Sequence, residues 1–288
     1  MDEIDFKILK VLDKDCRISN SNVARQLGFS PNSITDRINN LVEVGVIEKF
    51  SLAFNCHRIG FRRYIGTIPP PQSDIFPELK KMPEIDYVWE NFDGSITFDF
   101  LCRDPKHLEQ ILTHLSTNGI DLGEYTELRM HLSSDIPFAQ VDWRLVYHLF
   151  NNSRISQKEI AADLGINEKT VLRRLQRMYS MRLVEFSPSI NFERITGYIT
   201  GVLAITTKGD SKEIYLKVKE DPSITFWRNA GSVAPGFVLF LYGKNATEIH
   251  KMMQAIKNRP DVKSTYLTII VRNWHNSDLI FETIKRMI

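Results

Sequence analysis

Apolar side chains recur at helical spacing in three consecutive segments at the start of the chain. In each segment the apolar residues lie on one side of the predicted helix. They are Ile4, Ile8 and Leu12 in the first, Val23, Ala24 and Leu27 in the second, and Ile34, Ile38 and Leu41 in the third. Ser19 and Ser30 precede the second and third stripes as favourable N-caps, and Pro31 suits the first helical position. Gly28 ends the second helix, because glycine tolerates the left-handed conformation found there. The pattern predicts a three-helix unit with a helix-turn-helix.

Short strands are predicted after the third helix. Gly45 ends that helix, and residues 46–47 and 50–54 are rich in the β-branched and aromatic side chains typical of strands. We expect these two strands to form a hairpin, the wing beside the helix-turn-helix. Residues 1–60 are therefore predicted to be a winged helix-turn-helix domain.

Strands and helices alternate in the predicted structure of residues 61–133. Strands are expected at 64–68, 86–91, 96–102 and 125–132, with helices at 75–81 and 105–116. The order βαββαβ is that of a ferredoxin-like domain. Helices cover one face of such a sheet, and the other face needs a partner to bury it.

The whole pattern occurs a second time, 137 positions later. Arg17-Ile18-Ser19 recurs as Arg154-Ile155-Ser156. Further identities keep this offset along most of both halves: Asp5 and Asp142, Ala24 and Ala161, Leu27-Gly28 and Leu164-Gly165, Arg37 and Arg174, Glu48 and Glu185, Gly60 and Gly197, and Gly94-Ser95 and Gly231-Ser232. So many matches in one register indicate that a complete unit has been duplicated.

The second copy carries its own helix and strand signals. Ser156 is the predicted N-cap of its second helix, with Glu159 completing a capping box, and Asn167 caps its third helix. Strands are expected at 199–206, 224–228, 237–242 and 263–271, with helices at 210–219 and 245–258. A glycine-containing turn is predicted at 230–232, and residues 277–288 have the pattern of an additional amphipathic helix.

The predicted fold class is α+β, with two winged helix-turn-helix domains alternating with two ferredoxin-like βαββαβ domains. The expected winged helix-turn-helix domains are 1–60 and 138–196, the expected α/β domains are 61–133 and 197–275, and a C-terminal helix occupies 276–288. The polar, proline-containing segment 133–137 is expected to link the two copies.

The third helix of each copy presents polar side chains opposite its apolar stripe. The candidates are Asn32, Ser33, Arg37 and Asn40 in the first copy and Lys169, Thr170, Arg173, Arg174 and Arg177 in the second. Arginine, lysine and asparagine make bidentate contacts with guanine and adenine edges in the major groove. The pattern therefore predicts contact with double-stranded DNA. Three-helix bundles with a wing also mediate protein contacts, which remains the alternative.

Charge distinguishes the two copies. The net charge of the chain is only +2, so DNA binding would depend on local clusters of basic side chains. Residues 167–182 contain five basic and one acidic residue, whereas residues 30–45 contain one basic and two acidic residues. The second copy is the better candidate for contact with phosphates, and the first could be a degenerate module kept for geometry.

The first helix-turn-helix resembles a known family. The residues that carry the resemblance are Asp5-Phe6-Lys7-Ile8-Leu9, Arg17-Ile18-Ser19, Ala24, Leu27-Gly28-Phe29-Ser30, Arg37-Ile38, Leu41 and Gly45-Val46-Ile47. This run is similar to the N-terminal domain of the Lrp/AsnC (feast/famine) transcriptional regulators, and the segment after it fits the family's ligand-binding α/β domain. The resemblance covers nearly the whole chain, twice, whereas an ordinary member carries a single unit.

The resemblance implies that the third helix reads DNA and that the α/β domains pair through their sheets. It also implies a small effector, often an amino acid, at the pairing interface, with Gly94, Ser95, Gly231 and Ser232 as candidate contacts. The Gly-x-x-Asp-like spacing of the family is absent there, so a plain hairpin turn is the favoured alternative. The bare sheet faces predict an intrachain pseudo-dimer, and further association into a homodimer is also expected.

Enzymatic chemistry is not predicted. The sequence has no nucleotide-binding glycine loop, zinc motif or serine-nucleophile motif, so no catalytic residue, metal ligand or cofactor is assigned. The serious alternative is a sirohaem-type tetrapyrrole decarboxylase, since some proteins of this double architecture have that activity. Its candidate residues would be Arg62, Arg63 and His131. The polar third helices and the arginine cluster at 173–177 favour the regulator.

Location is predicted from what the sequence does not contain. The acidic segment 1–5 is unlike a signal peptide, and no run of about 18 apolar residues suggests a membrane span. The three cysteines, Cys16, Cys56 and Cys102, are scattered and form no CxxC pair. We therefore expect a cytoplasmic protein in a reducing setting, with no membrane partner.

Overall fold

The computed structural model describes residues 1–129 and 132–288, with the backbone alone described at 151 and 227–230. The chain forms two compact units. Unit 1 comprises Met1–Ile59, Leu132–Arg194 and Asp278–Ile288, and unit 2 comprises Gly60–His131 and Ile195–Ser277. Both helix-turn-helix modules therefore lie in unit 1, and both α/β modules lie in unit 2.

The helices of the described residues are α1 (Glu3–Lys14), α2 (Asn20–Leu27), α3 (Pro31–Glu43), α4 (Phe76–Lys81), α5 (Pro105–Thr117), α6 (Gln140–Asn151), α7 (Gln157–Leu164), α8 (Glu168–Ser180), α9 (Ser211–Glu220), α10 (Ala246–Lys257) and α11 (Asp278–Lys285). The strands are β1 (Ile47–Phe54), β2 (Arg62–Ile68), β3 (Ile85–Asn91), β4 (Ile96–Cys102), β5 (Glu124–Glu127), β6 (Val184–Ile190), β7 (Ile199–Thr207), β8 (Phe226–Gly231), β9 (Gly236–Gly243) and β10 (Val262–His275). The α+β fold class is confirmed.

The helix boundaries in unit 1 follow the capping residues that the sequence predicts. The Ser19 hydroxyl accepts from the Asn22 amide, 3.2 Å away, and the Ser30 hydroxyl caps α3 in the same way. Gly28 ends α2 with φ of 76°, in the left-handed region that favours glycine. The predicted capping box between Ser156 and Glu159 is present at the start of α7.

The predicted hairpin form of the wing is wrong. Residues 47–54 form one continuous strand, β1, which pairs antiparallel with β6 of the second copy. Each winged helix-turn-helix thus contributes one wing strand, and the two strands complete each other. The ring of Phe54 on β1 then packs edge-on against Trp143 of α6, with ring centroids 6.0 Å apart. Each wing strand is therefore stabilised by the sister module.

The repeated Arg-Ile-Ser segment lies where the two helix-turn-helix modules meet. Arg154 donates from Nε to the Cys16 carbonyl at 2.7 Å and from Nη2 to the Ile18 carbonyl at 3.1 Å. Arg17 donates in return to the carbonyls of Ser153 and Ile155.

This reciprocal arrangement is called the seam below. At its centre the Cys16 thiol and the Ser153 hydroxyl, which are equivalent positions of the two copies, lie 3.1 Å apart. Each contact that one copy makes with the other is repeated in the opposite direction by the equivalent residues. This reciprocity is the pattern of a two-fold interface. Unit 1 is therefore a pseudo-two-fold pair of modules.

The C-terminal helix also belongs to unit 1. The Phe281 ring of α11 stacks on Tyr147 of α6, with ring centroids 5.3 Å apart, and on Phe150 of the same helix. Ile280 and Ile284 are buried, as the amphipathic pattern at the end of the sequence predicts. The helix therefore covers apolar surface of the second helix-turn-helix.

Unit 2 contains one eight-stranded antiparallel sheet in the order β5-β2-β4-β3-β10-β7-β9-β8. The first four strands come from the first copy and the last four from the second, each in ferredoxin-like order. Strand β10 is longer than the sequence predicts, because its final residues, Ile270 to His275, pair with β3 of the sister module. The α/β modules are thus joined within the chain.

The two halves of the sheet also bury each other's open faces. Every residue of β4 and of β9 is buried, so both faces of these central strands are covered. One face of each strand packs on the helices of its own module. On the opposite face of the sheet, the Trp89 ring of β3 lies against the Phe240 ring of β9, with centroids 6.1 Å apart. At the outer edges, Arg129 and Ser232 form a backbone bridge between the copies. This intrachain pairing agrees with the burial that the bare sheet faces require.

Candidate nucleic-acid interface

Helices α3 and α8, called the reading helices below, are each fixed to the core of unit 1 by one apolar side. The buried residues are Ile34, Ile38 and Leu41 on α3 and Val171, Leu175 and Met178 on α8. Since these side chains are at most 6% exposed, each helix has one rotational setting. The opposite side of each helix faces solvent.

The exposed side of each reading helix is rotated slightly from the predicted one. The exposed polar residues are Asn32, Asp36, Asn39, Asn40 and Glu43 on α3 and Glu168, Lys169, Arg173, Gln176 and Ser180 on α8. Ser33 and Thr170 are half-buried. The predicted set omitted Asn39 and Gln176, although their spacing of three or four residues from the other exposed positions could have identified them.

Two of the predicted DNA contacts are engaged inside the module. Arg37 donates from Nη1 to Asp2 at 2.8 Å and to Asp5 at 2.7 Å. At the equivalent position, Arg174 lies 3.3 Å from Asp142, whose side chain is fully buried. These arginines connect the reading helix to the first helix of the same module, so the structure supports a positioning role for them.

Arg177 has an intermediate position. Its Nη1 atom lies 3.5 Å from Asp142, yet about a third of its side chain is exposed. Asp142 also caps α6 by accepting from the Ala139 amide at 2.8 Å. One carboxylate thus faces two guanidinium groups, which leaves net positive charge at the surface of α8.

Charge differs sharply between the reading helices. Helix α8 carries four basic residues and one acidic residue, whereas α3 carries one basic and two acidic residues. The one basic residue of α3, Arg37, is held by two carboxylates. The exposed polar side chains of α3 are therefore amides and carboxylates. Helix α8 is therefore the more basic of the two reading helices, as the charge count predicts.

The predicted effector turn has a structural explanation in both copies. Gly94 has φ of 81° in the turn between β3 and β4, and the buried Ser95 hydroxyl donates to Asp93 at 2.6 Å. Gly231 ends β8 and Ser232 still bridges to Arg129, so the turn lies at 233–235 and not at the predicted 230–232. A Cβ atom at Gly231 would lie 2.9 Å from the Arg129 carbonyl, in the bridge between the copies. Both glycines are therefore needed for the backbone path itself.

Of the three candidates for tetrapyrrole chemistry, the structure describes Arg62 and Arg63. Arg62 is exposed at the start of β2, and His131 lies outside the described residues. Arg63 is half-buried and donates to two buried carboxylates, Asp86 and Asp99, the latter at 2.8 Å. No group of three or more histidine, cysteine or acidic side chains in the described part of the chain is arranged for a metal ion.

The buried Asp99 carboxyl should make unit 2 sensitive to pH. Burial raises the pKa of Asp99 to about 7; Arg63 opposes this shift and Asp86 adds to it. Between about pH 4 and pH 7 the folded state holds a proton that the unfolded state releases. The free energy of unfolding should therefore fall as pH rises through this window and level off above it. Urea denaturation of the wild type at several pH values measures the effect.

Asp99→Asn is the matched variant for this prediction, because its amide keeps the shape and does not titrate. We expect the fall in unfolding free energy between pH 4 and pH 7 to be much smaller in this variant than in the wild type. Equal pH dependence in both proteins would show that Asp99 is not the group responsible.

Comparison with known families identifies a helix-turn-helix domain in each half of the chain. A family model of winged helix-turn-helix DNA-binding domains matches residues 1–48, and a model of AsnC-type helix-turn-helix domains matches residues 140–179. HTH-type transcriptional regulator Ptr1 of Methanocaldococcus jannaschii is 31% identical over 104 residues, which are 35% of this chain and 70% of that protein. The chain belongs to the Lrp/AsnC family.

Other Lrp/AsnC relatives agree. HTH-type transcriptional regulator FL11 of Pyrococcus furiosus is 32% identical over 127 residues, covering 42% of this chain and 84% of that protein. Transcriptional regulator AzlB of Bacillus subtilis is 40% identical over 107 residues, covering 36% of this chain and 68% of that protein. Each match is shorter than one repeat of this chain, which supports the duplication of a whole Lrp/AsnC unit.

The duplicated architecture has a counterpart among solved structures. The crystal structure of the siroheme decarboxylase NirDL superposes with a TM-score of 0.54 and 14% identity, over 99% of this chain and 98% of that one. At this level of identity the likeness shows a shared fold along the full length. In the described residues, no helix is long and apolar enough to cross a bilayer.

Proposed function

We propose that this chain is a transcriptional regulator that binds double-stranded DNA through unit 1. The observation that carries the proposal is the exposed basic side of α8, where Lys169 and Arg173 extend into solvent from a helix locked by its buried stripe. The guanidinium of Arg174 and the buried Asp142 connect that helix to α6. A rigid helix with cations on its outer side is what major-groove docking requires.

The electrostatics favour α8 as the principal contact. Each lysine or arginine that neutralises a phosphate releases condensed counterions, so the affinity should fall steeply as salt rises. Helix α3 brings amides and an acidic residue, Asp36, to the equivalent surface. Its contribution should come from hydrogen bonds with base edges more than from phosphate neutralisation.

A fluorescence titration of the full chain with labelled duplex tests the proposal. Binding should be tight at low salt and should weaken by at least tenfold between about 50 and 200 mM salt. A random-sequence duplex gives the non-specific baseline, and genomic footprinting supplies specific sites. Failure to bind any duplex at low salt would refute the proposal.

The alternative function is that of a sirohaem-type tetrapyrrole decarboxylase, since NirDL, which shares the fold, is a siroheme decarboxylase. Adding an iron tetrapyrrole to the full chain separates the two functions. A regulator should leave the Soret band of the free tetrapyrrole unchanged, whereas a decarboxylase should shift it on binding. Since Arg63 is held by Asp86 and Asp99, we expect no shift.

We also propose that a small effector, bound at the interface of the α/β modules, regulates the protein. Calorimetric titration of the full chain with a panel of amino acids tests it, and heat from one member would assign the effector class. The absence of heat from every member would remove the effector. Self-association into a homodimer stays a prediction, which sedimentation analysis of the full chain can decide.

A further inference from the structure

The two reading helices occupy equivalent positions in their modules but expose different side chains. In unit 1 the reciprocal contacts of Arg17 and Arg154 at the seam relate the two modules as a two-fold axis relates the subunits of a dimer. The antiparallel pairing of β1 with β6 follows the same relation. Each exposed position of α3 therefore has a counterpart on α8.

The counterparts differ in charge and hydrogen-bonding type. At the repeat offset, the exposed polar residues of α3 pair as Asn32 with Lys169, Asp36 with Arg173, Asn39 with Gln176, Asn40 with the partly buried Arg177, and Glu43 with Ser180. Only the pair of amides is conservative. At one pair a carboxylate occupies the place of a guanidinium, which reverses the charge presented to DNA.

A homodimeric helix-turn-helix protein reads a palindrome because identical helices meet identical half-sites. In this chain the two modules are related by a pseudo-two-fold axis, but the side chains on their reading helices differ. We infer that the operator of this protein is non-palindromic, with one guanine-containing half-site under α8 and one half-site of different sequence under α3. This inference rests on the proposed function and deepens it by naming the kind of duplex that unit 1 recognises.

Side-chain chemistry indicates what each half-site contains. Arg173 and Lys169 suit guanine, which offers the O6 and N7 acceptors in the major groove. Asn39 and Asn32 suit adenine, and the Asp36 carboxylate can accept from the cytosine N4 amino group. The carboxylate also disfavours an approach to phosphate, so the α3 half-site should depend more on base identity and less on salt.

Selection of bound duplexes from a random library by the full chain tests the inference. The selected site should contain two unlike half-sites, with centres about 10 base pairs or a multiple of that apart. Two synthetic palindromes, each built from one half-site, serve as matched ligands. The asymmetric duplex should bind at least about tenfold more tightly than either palindrome.

A converted variant provides the decisive arm. Replacing Asn32→Lys, Asp36→Arg, Asn39→Gln and Asn40→Arg gives α3 the side chains that α8 carries at these four positions. These positions are exposed, so the core of unit 1 is left intact, and circular dichroism checks that it is. The converted protein should now prefer the palindrome of the α8 half-site, by about tenfold or more over the asymmetric duplex.

The outcomes are distinguishable. Wild-type preference for a palindrome, or indifference to the sequence under α3, would overturn the inference while leaving DNA binding intact. A lack of binding to every duplex would instead refute the proposed function. Preference for the asymmetric site by the wild type, with reversal in the converted variant, would establish it.

Discussion

Removing two exposed cations from α8 should cost this protein most of its affinity for DNA. In the variant Lys169→Ala/Arg173→Ala, two cations held against the duplex are lost. Each displaces counterions whether its hydrogen bonds go to a base edge or to a phosphate, so each should contribute about 0.9 to the slope of log affinity against log salt. The slope should therefore become shallower by about two units, and the affinity at about 0.1 M salt should drop roughly 60-fold. Fluorescence anisotropy at several salt concentrations measures both.

The matched control for this variant removes the same charge elsewhere. Lys251 and Lys257 are exposed on α10 in unit 2, so Lys251→Ala/Lys257→Ala changes the net charge equally without touching a reading helix. It should leave the salt slope within a few tenths of the wild-type value. If both variants weakened binding alike, the effect would reflect net charge, and α8 would lose its assigned role.

Loss of Arg154 should destabilise unit 1 by about 3 kcal/mol, since hydrogen bonds to charged groups are worth about 1.5–3 kcal/mol each and the freed carbonyls stay in the seam. In Arg154→Ala the carbonyls of Cys16 and Ile18 lose their donor, and the Phe50 ring loses a guanidinium 4.5 Å from its centroid. Urea denaturation gives the change in unfolding free energy directly.

The control for the seam is Arg144→Ala. Arg144 is an exposed residue of α6 in the same unit, and its loss should change the unfolding free energy by less than about 0.5 kcal/mol. Arg154→Lys should fall between the wild type and the alanine variant, because one ammonium group cannot match the geometry of the guanidinium fork. Equal stability of the Arg154→Ala and Arg144→Ala proteins would contradict the importance of the seam.

Local signals in the sequence were sufficient for the helices and their ends. Ser19, Ser30 and Ser156 cap as predicted, because capping depends on residues within a single turn. The repeat likewise predicted the order of elements in the second copy from the first. The strands of the α/β modules overlap the predicted ranges, since enrichment in β-branched and aromatic residues is also a local property. The predicted strand 125–132 is an exception in length, because β5 ends at Glu127 and residues 130–131 lie outside the described residues.

Properties that depend on the sister module were beyond local signals. The residues of β1 have strand character, yet nothing near them in sequence shows that β6 rather than a hairpin neighbour is the partner. The extension of β10 to His275 depends in the same way on β3. Arg17 and Arg154 marked the repeat in the sequence, but their role at the seam required knowledge of which carbonyls they face.

The candidate site was predicted in outline but not in orientation. Charge counting identified α8 correctly as the basic helix. Helical spacing placed Arg37 and Arg174 on the outer side, whereas the acidic residues Asp5 and Asp142 of the first helices hold them inward. The sequence carries one sign of this pairing, which is an aspartate at the same repeat position in both copies.

The covalent union of the two modules in unit 1 changes how occupancy depends on protein level. Subunits of a dimeric regulator separate on dilution, so binding to a two-part site falls with the square of the concentration once the dimer dissociates. Here β1, β6 and the seam join parts of a single polypeptide, and dilution cannot remove one of them. Such a protein can hold its target at copy numbers too low to sustain a dimer.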